Sequence, residues 1–188
     1  SFHGRTFGAM TATGQPDSAI QKGFGDLTPG FTYAEFNNLQ AFKDAYVPGK
    51  TCAIMFEPVQ GEGGVWPADE DFIKGIRAFC DEKGILMLLD EVQAGWGRCG
   101  DFMCYMTYGI KPDVVSMAKA MGGGMPIGGI ACTEETVLDG SYAIQRPFVL
   151  VTKTDAPLST AAQAFFDYAT STAANDLIKA AGAVPVAK

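Results

Sequence analysis

The chain lacks several features that mark common classes of protein. Its 188 residues include one histidine, and no apolar run reaches the roughly eighteen residues that a membrane-spanning helix needs. The first residues, SFHGRTFG, show no basic region followed by an apolar one, as a signal peptide would. We therefore expect no membrane span, no signal peptide and no multi-histidine metal site, and we interpret His3 by itself as a structural residue.

The sequence also lacks a basic block and any regular spacing of its cysteines. Its 14 Lys and Arg residues are scattered and the formal charge is -7, which argues against a nucleic-acid partner. The five cysteines are odd in number and form no C-x-x-C pair, which argues against a disulfide framework or a zinc site. We therefore expect a cytoplasmic protein with reduced cysteines and no bound metal.

What the sequence does contain is a strand, helix and strand in succession. The apolar run Thr51 to Phe56 predicts a buried strand, and residues 69 to 83 predict a helix with Asp69 as N-cap and Gly84 just beyond its end. The run Ile85 to Leu89 predicts a second strand, and Val114 to Met117 a third. Strands joined in this way are normally parallel, so the fold class is α/β with a mostly parallel sheet flanked by helices.

Charged residues follow these strands where they end. Glu57 and Asp90 come directly after the first two strands, and Lys119 follows the third. Because parallel strands end at the same edge of a sheet, two carboxylates and a lysine should meet there. An ionised carboxylate at the end of a buried strand is costly unless a cation or hydrogen-bond donor faces it. The spacing alone leaves two alternatives, a structural ion pair between Asp90 and Lys119 or a functional site.

Four motifs in order resemble the class III pyridoxal-phosphate aminotransferases, and most closely the acetylornithine and ornithine aminotransferases. They are SFHGRTFGAMTATGQ at 1 to 15, FEPVQGEGG at 56 to 64, LLDEVQAGWGR at 88 to 98, and SMAKAMGGGMPIGG at 116 to 129. The resemblance covers about residues 1 to 133. It implies part of the large domain of a fold-type I transferase that binds pyridoxal phosphate. It further implies amino-acid and 2-oxo-acid substrates, an ornithine-type amino donor with 2-oxoglutarate as acceptor, and a homo-oligomer.

The resemblance assigns the two catalytic residues to this edge. Asp90 matches the carboxylate that keeps the cofactor's ring nitrogen protonated, so that the ring can act as an electron sink. Lys119 matches the lysine that holds the cofactor's aldehyde as a Schiff base and shuttles the substrate's α proton, a role that needs a partly desolvated amine.

The remaining site residues also follow from the resemblance. Phe2 and Val92 match the residues that pack on the two faces of the cofactor ring, and Gln93 matches the one that hydrogen-bonds its phenolic oxygen. Arg5 matches the arginine that clamps the substrate's α-carboxylate. Glu62 matches a gate carboxylate that, in the family, pairs with an arginine near the C-terminus.

Residues from about 134 to 188 resemble a different family. The stretch DGSYAIQRPFVLVTK followed by PLS, two predicted helices and AGAVPV is similar to the C-terminal part of an ABC-transporter phosphate-binding protein. This implies a strand and two helices as in a periplasmic binding protein, with Ser159 as a cap, a stripe formed by Ala161, Ala162, Phe165, Phe166 and Ala169, and Gly182 at the end. The family's downstream threonine segment, which binds cofactor phosphate, does not follow Gly129. A non-catalytic chimera or fragment is therefore the alternative function, and we expect the isolated chain to bind cofactor weakly.

Overall fold

A computed structural model describes residues 1–15, 19–133 and 157–180. The chain divides into two compact units, Ser1–Thr133 and Glu134–Lys188, which are described separately. The predicted strand around DGSYAIQRPFVLVTK and the expected helix end at Gly182 lie outside the described residues. No helix among the described residues is long and apolar enough to cross a membrane.

The first unit is built on a four-stranded sheet in which three neighbouring strands are parallel. Its strands, in the order in which they lie side by side, are β1 (Ala53–Phe56), β4 (Leu86–Asp90), β5 (Val114–Met117) and β6 (Gly129–Cys132), and β6 runs antiparallel to β5. A separate hairpin pairs β2 (Val59–Gln60) with β3 (Trp66–Pro67). The mostly parallel sheet is confirmed. β1 begins two residues later than predicted, and β4 is shifted one residue toward the C-terminus so that it includes Asp90.

The unit's longest helix, α3 (Glu70–Lys83), covers one face of this sheet as predicted. Its predicted apolar stripe is wholly buried: Phe72, Ile73, Ile76, Phe79 and Cys80. Gly84 ends the helix in the left-handed region at φ 63°, where a side chain would be strained. The predicted cap was wrong in its bonding, because the side chain of Asp69 makes no capping hydrogen bond. Its backbone N–H instead donates to Oδ1 of Asn37 at 3.0 Å, which ties the helix start to the preceding loop.

Aromatic rings fill the space between α3, β1 and the short helix α2 (Leu39–Ala45). Phe36 and Phe42 each lie 5.4 to 5.5 Å from the ring of Phe72, and Phe56 lies 5.4 Å from it. Edge-to-face packing of this kind adds to the apolar burial, by about 0.5–1.5 kcal/mol for each pair. This core fixes β1 and β4 beside one another and so sets the position of the residues that follow them.

Short elements complete the first unit around the sheet. They are α1 (Phe7–Ala12), α4 (Cys104–Thr107) and a 3₁₀ helix at Lys119–Gly122. In the second unit the described elements are α5 (Thr160–Ala169), a 3₁₀ helix at Thr172–Ala174, and α6 (Asn175–Ala180).

The predicted cap of α5 is confirmed, whereas its predicted apolar stripe is not buried. Oγ of Ser159 accepts a hydrogen bond from the N–H of Ala162 at 3.3 Å. No residue of α5 is buried among the described residues, and Phe165 is 64% exposed. The sequence pattern correctly gives a helix with one apolar face, but the part of the second unit that is described does not cover that face.

Candidate functional site at the carboxyl edge of the sheet

Two buried carboxylates lie side by side where β1 and β4 end, at what we call the carboxyl edge. Phe56 pairs with Leu89 across the parallel strands, so Glu57 and Asp90 are neighbours in the next register position. Their exposed fractions are 3% and 4%. The predicted convergence of the two acids is therefore confirmed, and both must have donors nearby to offset the loss of water.

Asp90 has its donors on the N-terminal segment and in the loop that follows it. Nδ1 of His3 lies 2.7 Å from Oδ2, and the N–H of Val92 donates to Oδ1 at 3.0 Å. The side chains of His3 and Asp90 are only 2% and 5% exposed. The predicted alternative of an Asp90–Lys119 ion pair was wrong, because within residues 1–15 and 19–133 the partner of Asp90 is His3.

Glu57 has its donors in two other segments. Oε1 accepts the N–H of Phe2 at 2.7 Å, and Oε2 accepts the N–H of Gly61 at 3.4 Å. The next residue, His3, is fixed in turn because its N–H donates to Oγ1 of Thr13 at 3.0 Å. The N-terminal segment is thereby bound along the carboxyl edge, with Phe2 beside Glu57 and the ring of His3 on Asp90.

Lys119 lies just after β5 and has an unusual backbone conformation. Its φ is 46°, in the left-handed region that residues with a side chain rarely adopt. Its Nζ donates to Oε1 of Gln93, a residue of the loop that follows Asp90. A strained backbone at a polar side chain points to a functional position. Lys119 is exposed, so the described residues do not supply the apolar enclosure that the sequence analysis expects around its amine.

Gln93 is held close to the turn after β2. A Cβ placed on Gly61 would lie 2.9 Å from Nε2 of Gln93 and closer still to its Cγ, so the glycine is required for this approach. Val92 and Gln93 are both half-buried. Together with Lys119, they place three of the predicted site residues in one region.

A second pair of predicted residues meets in a more exposed position. Nη2 of Arg5 lies 3.7 Å from Oε1 of Glu62, with the two side chains 70% and 41% exposed. The guanidinium of Arg5 also lies 5.6 Å from the centroid of the Phe2 ring. An exposed pair of this kind contributes little to stability, about 0–1 kcal/mol, and it can separate at low cost. In this chain the partner of Glu62 is therefore Arg5.

A third buried acid, Glu91, holds the loop that carries Val92 and Gln93. It is fully buried, and its Oε2 and Oε1 accept the N–H groups of Cys104 and Tyr105 at 2.8 and 2.7 Å. Burial raises the pKa of Glu91, and the two backbone hydrogen bonds oppose that rise. Its own N–H donates to the carbonyl of Ser116 at 3.0 Å, which links the loop to β5.

The sequence analysis missed His3, Glu57 and Glu91 as parts of this site. Glu57 carried a signal, because it follows a buried strand exactly as Asp90 does in register terms, yet its role as an acceptor of two amides could not be inferred. His3 carried none beyond its place in SFHGRTFG. Glu91 stands beside Asp90 in the sequence but points away to bind α4, a direction that the chain order does not give.

Comparisons with known proteins agree with this arrangement. A family model described as "Aminotransferase class-III" matches residues 1–140. Acetylornithine aminotransferase of Methanocaldococcus jannaschii is 48% identical over 142 residues, which are 76% of this chain and 35% of that protein. The enzyme of the same name from Myxococcus xanthus is 52% identical over 135 residues, or 72% of this chain and 33% of that protein. The chain thus spans about a third of the length of these relatives.

Solved structures give the same result. N-acetylornithine aminotransferase from Stenotrophomonas maltophilia superposes with a TM-score of 0.57 at 41% identity, covering 60% of this chain and 31% of that one. A transaminase from the marine bacterium Virgibacillus gives a TM-score of 0.69 at 30% identity, covering 81% and 37%. Class III aminotransferases depend on pyridoxal phosphate, and an ornithine aminotransferase structure from Toxoplasma gondii is described with this cofactor, PLP, at partial occupancy in its active site.

Proposed function

Because the chain belongs to the class III aminotransferases, we propose that its carboxyl edge is part of an active site that transfers an amino group with the help of pyridoxal phosphate. The proposed donor is an ornithine-type amine, acetylated or free, and the proposed acceptor is 2-oxoglutarate. The acetylornithine aminotransferases among its relatives support this choice of donor. Since the chain spans about a third of those relatives, the activity is proposed for the whole protein to which this region contributes.

The observation that carries the proposal is the meeting of a buried carboxylate and an amine at one sheet edge. Asp90 ends β4 and Lys119 follows β5, the strand that pairs directly with β4. The cofactor acts as an electron sink when its ring nitrogen is protonated. A buried Asp90 oriented by two donors suits a cationic nitrogen, and a primary amine two positions beyond the next strand suits an aldehyde. The donor set therefore fits the cofactor.

The neighbouring residues would orient the cofactor between them. Gln93 now accepts a hydrogen bond from Lys119, and the same amide would donate to the ring's phenolic oxygen. Phe2 and Val92, both half-buried, would pack on opposite faces of the ring. Lys119 would hold the aldehyde and, once released from it, would move a proton to and from the substrate's α carbon.

His3 is added to this set on structural grounds. Its ring donates to or accepts from Asp90 Oδ2 at 2.7 Å, according to tautomer, and the N–H of Val92 occupies Oδ1. With Nδ1 as the donor, the two contacts would fix both oxygens of an ionised Asp90 and leave their remaining lone pairs for a ligand. His3 would thus act on the cofactor only through Asp90, as a positioning residue.

Arg5 and Glu62 would meet the substrate. The planar fork of Arg5 suits a carboxylate, and its present partner Glu62 lies at the long distance of 3.7 Å in an exposed position. A substrate carboxylate would replace Glu62 at Arg5, and Glu62 would be free to face the donor's distal amine. This exchange would let one site accept in turn a substrate with a basic side chain and one with an acidic side chain.

The proposal is tested by mixing the purified chain with pyridoxal phosphate and following the visible absorbance of the bound cofactor. We expect the yellow form to appear and to bleach when N-acetylornithine or ornithine is added. Lys119→Ala should abolish the yellow form, and Lys50→Ala, a matched change at an exposed loop position, should not. A yellow form of equal strength in the Lys119→Ala protein would overturn the assignment.

Three further features are proposed for the whole protein. The exposure of Lys119 favours a homo-oligomer in which a second copy closes the site, as the family resemblance implies. All five cysteines are free, which favours a reducing, cytoplasmic setting. The division of the chain between Thr133 and Glu134 favours a separate origin for residues 134–188 as a segment like a phosphate-binding protein, although the family model extends to residue 140. If that segment has replaced part of the active site, the alternative of a non-catalytic chimera follows.

A further inference from the structure

Glu57 is the one buried acid at the carboxyl edge to which the proposed chemistry gives no task. It is 3% exposed and, among the described residues, its carboxylate binds two backbone N–H groups from segments far apart in the sequence, Phe2 at 2.7 Å and Gly61 at 3.4 Å. Each contact uses a different oxygen. The carboxylate therefore bridges the N-terminal segment and the turn after β2.

Each bridged segment carries one member of the substrate-facing pair. Arg5 lies three residues after Phe2, and Glu62 directly follows Gly61. Arg5 and Glu62 are 3.7 Å apart and mostly exposed, so their own attraction is too weak to set the distance between the two segments. A buried carboxylate with two charge-assisted hydrogen bonds is a much stiffer link.

We infer that Glu57 is a positioning residue that sets the spacing of Arg5 and Glu62, and so determines how the site admits alternately acidic and basic substrates. This inference rests on the proposed function for its consequence, but its structural part stands without it. One oxygen of Glu57 holds the cofactor-stacking segment through Phe2, and the other holds the gate turn through Gly61. The two tasks can therefore be separated by changing one oxygen at a time.

Glu57→Gln makes that separation. A glutamine offers one acceptor oxygen and one NH₂ group, which can keep the shorter contact with Phe2 and must then turn a donor toward the N–H of Gly61. Glu57→Ala removes both contacts. The control is Glu82→Gln, the same change at an exposed position on α3 where the carboxylate pairs only with its neighbour Lys83.

Amide hydrogen exchange in the chain without cofactor is the first measurement. We expect Glu57→Gln to speed exchange at Gly61 by roughly ten- to a hundredfold, the equivalent of one charge-assisted bond, while Phe2 and the core amide of Leu89 keep their protection. Glu57→Ala should speed exchange at both Phe2 and Gly61. Unchanged protection at both amides, or equal loss at Leu89, would overturn the inference.

Binding in the cofactor-loaded chain is the second measurement. We expect Glu57→Gln to leave the Kd for pyridoxal phosphate within about twofold while raising the half-saturating concentration of N-acetylornithine about tenfold, the equivalent of about 1.4 kcal/mol. Glu57→Ala should raise both. Equal effects of Glu57→Gln on both constants would refute the separation of tasks. If the wild-type chain binds no cofactor, the proposed function fails, and the exchange measurement still decides whether Glu57 links the segments.

Discussion

Replacing Asp90 in two different ways separates its structural role from its chemical one. The side chain is 4% exposed and has two hydrogen-bond donors, His3 at 2.7 Å and the N–H of Val92 at 3.0 Å. Asp90→Ala leaves both groups buried without an acceptor, at about 1.5–3 kcal/mol for each contact with a charged group. We therefore expect the free energy of unfolding to fall by about 3–6 kcal/mol.

Asp90→Asn should have a very different effect on the fold. Oδ1 of the asparagine can still accept the N–H of Val92, and its NH₂ group can donate to Nδ1 of His3 if the imidazole carries its proton on Nε2. The cost should then be on the order of 1 kcal/mol. The amide has no charge, so it cannot favour a protonated ring nitrogen, and transamination should fall by several orders of magnitude.

The assays are urea unfolding of the three proteins without cofactor and single-turnover bleaching of the bound cofactor by the amino donor. The expected pattern is a large loss of stability for Asp90→Ala alone, and a large loss of rate for both variants. Equal transamination rates for the wild type and Asp90→Asn would show that Asp90 does not face the ring nitrogen. Equal stability of the wild type and Asp90→Ala would show that the contacts with His3 and Val92 contribute nothing.

Two other predictions concern a lysine and a buried acid. Borohydride reduction of the cofactor-loaded chain followed by peptide mapping should place the label on Lys119, and a label mainly on exposed Lys22 or Lys50 would contradict its assignment. Burial raises the pKa of Glu91 in the folded chain, so the folded state retains a proton that the unfolded state loses first. The stability of the wild type relative to Glu91→Gln should therefore fall as pH rises from the ordinary glutamate range through the raised pKa, as measured by urea unfolding at several pH values. A difference that does not change with pH would count against it.

The main features of the fold were predictable because they depend on local periodicity and chain order. The stripe from Phe72 to Cys80 has helical spacing, and Gly84 supplies a left-handed residue at its end, so α3 follows from the sequence. Parallel pairing of β1 and β4 follows from the intervening helix. The same order places Glu57 and Asp90 at one edge, because parallel strands end on the same side.

The contacts within the site were less predictable because they join distant residues. His3 and Asp90 are 87 positions apart, and no local pattern indicates that the N-terminal segment returns to this edge. Asp69 has the residue type and position of a cap, yet its side chain makes no capping bond. Lys119 bonds Gln93 because the loop after Asp90 turns toward it, a turn fixed by Glu91 and the N–H groups of α4.

Gly61 offers a last test of how closely the turn after β2 must approach the loop after Asp90. Its φ lies outside the left-handed region, so Gly61→Ala strains no backbone, but the new Cβ would lie 2.9 Å from Nε2 of Gln93 and closer to its Cγ. Gln93 must then move and lose its contact with Lys119. We expect a cost of at most about 1 kcal/mol in stability, since the displaced side chain is flexible and only half-buried, together with weaker cofactor binding.

Gly63→Ala is the control for this change. It lies in the same turn, and its Cβ would meet only Oε1 of Gln60 at an ordinary 3.7 Å. Both proteins are titrated with pyridoxal phosphate and unfolded in urea. If Gly61→Ala binds the cofactor as the control does, then Gln93 does not need its present position, and the hydrogen bond proposed between Gln93 and the phenolic oxygen is refuted. Weaker binding by Gly61→Ala alone, with both proteins equally stable, would mean that the close approach of these two loops orients Gln93 for the cofactor.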